Sequence, residues 1–124
     1  MAIVGLGTDI VEIARIEQQL MHSERLAHRI LTANELQTYE QHKFKGRFLA
    51  KRFAAKEAAV KALGVGIGNG VSFHDVEVVN LASGQPTLCF YGKFAQLCEE
   101  RGVSASFISI SDEQHYAVAT VILE

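Results

Sequence analysis

The sequence predicts a single α+β domain, residues 1–124, with a mainly antiparallel sheet packed on one long central helix. Three observations carry this. Apolar positions recur at helical spacing through the first half of the chain and alternate through much of the second. No Pro or Gly interrupts Arg47 to Leu63, which makes that stretch the longest helix. Strand-like segments lie at the start, after Phe73 and at the end, the last groups flanking one helix, an order that makes an α+β fold. A chain of 124 residues, 48% of them hydrophobic, has room for one core and needs no staples to hold it.

The elements follow in order. Ala2 to Thr8 reads as a short buried strand, with Gly5 and Gly7 marking the close approach of another backbone or a ligand. Ile10, Ile13, Ile16 and Leu20 fit a helix beginning near Asp9 or Ile10, with Asp9 of a type suited to cap it. Arg25 to Leu31 is a second short helix. Thr32, with Glu35 three residues on, opens a third that runs to about His42. Gly64, Gly66, Gly68 and Gly70 end the long helix in a loop, where a glycine can cap it. From Phe73 the pattern alternates, with Val76 and Val78 apolar, and turns at Ser83-Gly84-Gln85-Pro86 toward Leu88 and Phe90. Gly92 to Arg101 is a helix with Phe94, Leu97 and Cys98 on one stripe. Ser106 to Ser111 and Tyr116 to Leu123 form a hairpin across Asp112 to His115.

Composition excludes several classes. The N-terminus has no basic region before its apolar stretch, and the run Ala117 to Leu123 is far too short to span a bilayer, so neither a signal peptide nor a membrane span is expected. Cys89 and Cys98 cannot build a disulfide framework, and the expected location is cytoplasmic. The five histidines lack metal-ligand spacing, and no Ser-His-Asp set can be inferred. The net charge of −2 conceals a concentration of positive charge. Lys43 to Lys61 holds seven basic residues and one acid, leaving five basic and thirteen acidic residues elsewhere. Such a segment faces an anionic ligand or partner, or else is a solvated helix face. Duplex binding would require a basic domain overall, so no nucleic acid is expected.

Around the long helix, Leu49, Phe53, Val60 and Leu63 fall in one arc, the main core face. Ala54, Ala55, Ala58, Ala59 and Ala62 cover much of the opposite side and permit another element to approach closely. Lys56 points into the apolar arc, where its stem can snorkel. Glu57 and Lys61 lie between the two surfaces, one turn apart. They are either a weak i,i+4 ion pair or, partly removed from water beside the alanines, a functional pair.

Two motifs then converge on one family. Gly5-Leu6-Gly7-Thr8-Asp9, with Ile13 and Arg15 after it, resembles the N-terminal signature of the holo-acyl-carrier-protein synthases, small 4′-phosphopantetheinyl transferases. Phe53-Ala54-Ala55-Lys56-Glu57-Ala58-Ala59-Val60-Lys61 resembles their second signature, F-A-x-K-E-A-x-x-K. The flanking Arg47 to Arg52, Gly64 to Gly68, the Gly84-Gln85-Pro86 turn and Tyr116 to Ala119 are similar too, so the resemblance covers essentially the whole chain.

The resemblance implies transfer of the phosphopantetheine arm of coenzyme A to a serine of apo-acyl carrier protein, in support of fatty acid biosynthesis, with release of adenosine 3′,5′-bisphosphate. It implies that Asp9 and Glu57 bind Mg2+ with the diphosphate, and that Lys61 contacts the phosphates. Arg52, Lys61, Gly64, Gly66 and Pro86 are the implied coenzyme A residues. Arg15 and Arg25 are implied in carrier-protein docking, and a homotrimer with intersubunit active sites is implied as the assembly. The residue types suit the chemistry: hydroxyl attack on a diphosphate gathers negative charge, and carboxylates, Mg2+ and a lysine stabilise it. Either Glu57 or a metal-bound water held by it takes the serine proton. One position departs from the pattern: Asp112 stands where many relatives have His. A docking module and a small nucleotide-binding regulator are the rival readings; neither needs Asp9 beside Glu57.

Overall fold

The structure, a computed structural model, describes residues 2–124. Met1, the first residue of the expected domain, lies outside the described residues. The elements run β1 (Gly5–Glu12), α1 (Ile13–His22), α2 (Arg25–Ile30), α3 (Ala33–Gln41), α4 (Lys45–Ala62), a 3-10 turn (Phe73–Asp75), β2 (Val76–Asn80), β3 (Pro86–Phe90), α5 (Gly92–Glu100), β4 (Ser106–Asp112) and β5 (Tyr116–Leu123). The strands form an antiparallel three-stranded sheet of order β1-β5-β4 and the antiparallel pair β2-β3. α4 lies across β1 and β5 and also meets β2 and β4, so the expected α+β arrangement around one helix is present.

β1 departs from the expected boundaries. It pairs with β5 from Gly5 opposite Leu123 to Glu12 opposite Tyr116, and the helix begins only at Ile13. Asp9 is therefore a mid-strand residue and caps nothing. The physical reason is the run Thr8, Ile10, Val11, β-branched residues that favour a strand, set against an eight-residue partner. Ile10 fits both periods; the strand wins because Leu6 and Ile10 then point away from α4 while Gly7, Asp9 and Val11 point toward it.

Gly5 and Gly7 explain why α4 lies so close. A Cβ at Gly5 would stand 1.7 Å from the Ala62 carbonyl oxygen, and one at Gly7 2.0 Å from that of Ala58. The approach is of backbone against backbone, and the buried alanines of α4 make it possible from the other side. The Ala-rich face is thus filled by the chain's own sheet, not offered to another subunit.

Thr32 caps α3 as expected: its Oγ1 accepts from Glu35 N at 3.3 Å, and Glu35 Oε1 accepts from Thr32 N at 2.9 Å. Gly64, at φ +75°, ends α4, with its N–H on the Lys61 carbonyl and the next N–H, from Val65, on Val60. Phe73 opens a 3-10 turn, not a strand, because Ser72 and Asp75 cap each other across it. The apolar arc of α4 is in the core as expected, with Leu49, Val60 and Leu63 buried and Phe53 half-buried.

Candidate active site

Asp9 and Lys61 come from elements 52 residues apart in sequence and meet at 2.8 Å, Lys61 Nζ to Asp9 Oδ1. The same ammonium donates to the Thr8 carbonyl at 3.2 Å. This meeting follows from the glycines: Gly7 against the Ala58 turn sets β1 on α4, and Asp9 is the next residue on that face of the strand. Glu57, one turn before Lys61, is half-buried, and its carboxyl is pushed above its ordinary value, first by burial, next by the charge of Asp9, with Lys61 opposing. Lys61 is held more firmly protonated by its hydrogen bond to Asp9.

The i,i+4 ion pair considered from sequence is not what forms. Lys61 turns to Asp9, and Glu57 lies near enough for the charges of both to act on it, so two carboxylates share one region with one cation. Among the described residues no group of three or more His, Cys, Asp or Glu side chains is placed to hold a metal by itself. Two carboxylates form a partial set of hard oxygen donors, which suits a cation that takes its other ligands from water and a phosphorylated substrate.

A second feature lies on another side of α4. A cavity of about 430 Å³ is walled by Arg47, Phe48, Lys51, Arg52, Asn80 and Pro86, among others. Arg52 Nη1 donates to the Val78 carbonyl at 2.5 Å and Nη2 to Asn80 Oδ1 at 2.9 Å, and the guanidinium stacks 4.7 Å from the Phe48 ring centre. Asp112 accepts from Arg47 at 2.8 Å and pairs with Lys51 at 3.2 Å, and these two cations, Arg47 first, hold its carboxyl below its ordinary value. The position that departs from the family pattern thus anchors the two outer cations of the cavity wall.

The expected coenzyme A residues divide between the two places. Arg52 and Pro86 line the cavity; Lys61 stands with Asp9, and Gly64 and Gly66 follow Lys61 in the exposed loop beyond α4. Arg15 and Arg25 are exposed on α1 and at the start of α2, with Arg15 Nε 3.3 Å from Glu12. Sequence reasoning missed the part of Glu35. It was legible as half of a capping box, yet it is also the buried partner of Lys56, which is fully buried and does not snorkel. A lysine inside an apolar arc with no Pro or Gly near it was the available signal that a buried carboxylate must meet it.

The fold agrees with that of known proteins. The family described as the 4′-phosphopantetheinyl transferase superfamily matches residues 5–121, and the chain belongs to it. Within that class the similarity is to holo-[acyl-carrier-protein] synthases. The one from Pseudoalteromonas atlantica is 72% identical over 124 residues, covering 100% of this chain and 98% of that protein. The crystal structure of the Neisseria meningitidis synthase superposes with a TM-score of 0.92 at 40% identity over 99% of each chain. That of the Bacillus anthracis synthase, in complex with coenzyme A (3′,5′-ADP), gives 0.83 at 41% identity over 98% of this chain and 96% of that one.

Proposed function

We propose that this chain transfers the 4′-phosphopantetheine arm of coenzyme A to a serine of apo-acyl carrier protein, with Asp9, Glu57 and Lys61 as the reacting site. The observation that carries this is the convergence of β1 and α4, which sets two carboxylates and an ammonium together in a chain whose relatives are synthases of this kind. In the transfer the serine oxygen forms a bond to the phosphorus that bears the pantetheine arm. The bond from that phosphorus to the oxygen bridging to the nucleotide breaks, and adenosine 3′,5′-bisphosphate leaves with the bonding pair. The serine proton passes to Glu57 or to water.

Asp9 and Glu57 would hold Mg2+, which supplies Lewis-acid stabilisation of the phosphate oxygens. The chain's own contributions are more specific. Lys61 places a positive charge beside the leaving phosphate. The rigid backbone contact at Gly7 fixes Asp9 relative to Glu57, so the charges need little reorganisation. Arg52, Arg47 and Lys51 offer donors for the nucleotide's phosphates in the cavity.

The homotrimer implied by the resemblance is the proposed assembly, and one feature of α4 favours a site shared between chains. Arg52 and Lys61 are nine residues apart, which at about 100° per residue sets them on opposite sides of α4. One nucleotide reaching both groups is best served by two chains. The outer face of the larger sheet also carries apolar rows: Leu6, Ile122 and Phe107 stand abreast, and Ile10 stands beside Val118. Leu6 is 65% exposed, Ile10 63% and Phe107 54%. This face is the candidate interface, since the chain's own sheet covers the Ala-rich side of α4. The proposed location is the cytoplasm, as expected from the composition and cysteine usage; no helix among the described residues is long and apolar enough to cross a membrane.

The direct test is the mass of apo-acyl carrier protein after incubation with coenzyme A and Mg2+. Gain of one phosphopantetheine arm, lost on chelation and restored by Mg2+, is the expected result. No gain with several carrier proteins would reject the activity, and gain undiminished by chelation would reject the metal.

A further inference from the structure

A buried polar cluster on the inner side of α4 includes two residues, Glu35 and Lys56, that take no part in the chemistry above. Lys56 is 0% exposed, and its three donors are all used, on Glu35 Oε1 at 2.6 Å, the Ile30 carbonyl at 2.7 Å and the Phe73 carbonyl at 3.1 Å. Glu35 is 2% exposed and uses both oxygens. Oε1 accepts from Lys56 and from Thr32 N; Oε2 accepts from Val78 N at 2.9 Å and lies 3.5 Å from Arg52 Nη1. Glu77, held by Thr32 Oγ1, Asn34 and Tyr91, brings the cluster to two carboxylates and two cations.

Val78 is the telling residue. One edge of β2 pairs with β3, and at Val78 the other edge is closed by side chains: Glu35 takes its N–H and Arg52 its carbonyl. A carboxylate and a guanidinium therefore stand where a third strand would otherwise satisfy the sheet edge. The same guanidinium lines the cavity, and its second nitrogen holds Asn80, another wall residue. Glu35 touches the cavity's donors from behind and reaches none of the reacting groups.

We propose that Glu35 is a positioning residue for nucleotide binding: by closing the edge of β2 and bonding Arg52, it fixes Arg52 and Asn80 at the cavity wall in the geometry that receives the phosphates of coenzyme A. This rests on the reading of the cavity as the nucleotide site. Stabilisation of the fold alone predicts something different. Loss of Glu35 would then lower thermal stability and leave the substrate constants of the folded protein unchanged.

The variant of choice is Glu35→Gln with Lys56→Met. Gln keeps an acceptor for Val78 N, and Met removes the cation that would otherwise be left buried without a partner. In the folded double variant the KM for coenzyme A rises about tenfold, while kcat and the KM for carrier protein stay within about twofold, the pattern of lost ground-state binding. Titration with adenosine 3′,5′-bisphosphate reads the same cavity without turnover and weakens by the same factor. Glu35→Gln alone keeps an acceptor for Val78 N and leaves Arg52 itself untouched; it raises the KM for coenzyme A likewise, and it decides the matter if the double variant does not fold. An unchanged nucleotide affinity in either folded variant overturns the proposal, as does absence of nucleotide binding by the wild type. Wild-type binding without any transfer to carrier protein would instead condemn the reaction and leave the positioning role standing.

Discussion

Glu57 carries its negative charge at a cost, set by burial and by the neighbouring charge of Asp9, and this gives the site a pH signature. Above the ordinary value of 4.5 the folded chain retains a proton that the unfolded chain has released, so this group makes stability fall as pH rises through that window. Asp112 acts in the opposite sense: its contribution is present above 3.8 and is lost as pH falls through its lowered value. Thermal unfolding followed against pH is expected to show the Glu57 decline in the wild type and not in Glu57→Gln. A Mg2+ ion held at the proposed site would need the ionised carboxylate, so its affinity is expected to climb with pH over the same interval and to lose that climb in the variant. Asp9→Asn and Glu57→Gln are each expected to cut transfer by about 10²-fold or more while the protein stays folded, the scale on which a charge-stabilising group is felt. Asp9 caps no helix, so Asn has no structural duty there that would preserve activity; near-normal turnover at saturating Mg2+ would remove that residue from the site. Asp9, Glu57 and Lys61 were legible through the two motifs, but Asp112 on Arg47 and Lys51 was not, because its partners lie 65 and 61 residues away in sequence and no local pattern encodes such a pairing.

Between elements, the contact of β1 with α4 is the one on which the site depends. Gly7→Ala would drive a methyl to within 2.0 Å of a helix carbonyl that cannot rotate away. The expected cost is at or above the upper end of the roughly 1–3 kcal/mol usual for overpacking. Because the strand must lift from the helix to relieve it, transfer should fall in whatever fraction still folds. Gly66→Ala is the control, since nothing lies within 4 Å of its added methyl and its φ is not in the left-handed region. Denaturant melts of the two variants check this; equal stabilities would mean that the strand yields without cost. The alanines and both glycines were readable as signs of close approach, and that reading held. The end of β1 was misplaced for a physical reason: Ile10, Ile13 and Ile16 satisfy helical spacing, and only the pairing with Val118 and Ala117 of a strand more than a hundred residues on decides that Ile10 and Val11 are extended. The capping box at Thr32 needed no such distant information and was placed correctly.

At the scale of the molecule, charge and apolar surface assign different faces to different partners. Acidic carrier proteins are expected to meet the exposed Arg15 and Arg25, so the double reversal Arg15→Glu, Arg25→Glu should raise the KM for carrier protein and spare that for coenzyme A. Added salt should mimic it in the wild type, since exposed charges are screened within about 10 Å at 0.1 M; unchanged carrier-protein kinetics would place docking elsewhere. The proposed assembly is expected to use the other face. Leu6, Ile10 and Phe107 stand on the side of the sheet away from α4, so a charge at the mostly exposed Ile10 leaves the core intact but falls on the apolar surface proposed to meet other copies. Ile10→Glu is therefore expected to give a folded monomer of 13.6 kDa by light scattering where the wild type gives three times that mass. The circular dichroism of the variant should match the wild type. Its transfer activity should be lost, because Lys61 and Arg52, on opposite sides of one helix, would no longer be brought to the same nucleotide by two chains. A monomeric variant with full turnover would mean that one chain folds its substrate around α4 unaided, and the shared site would have to be abandoned.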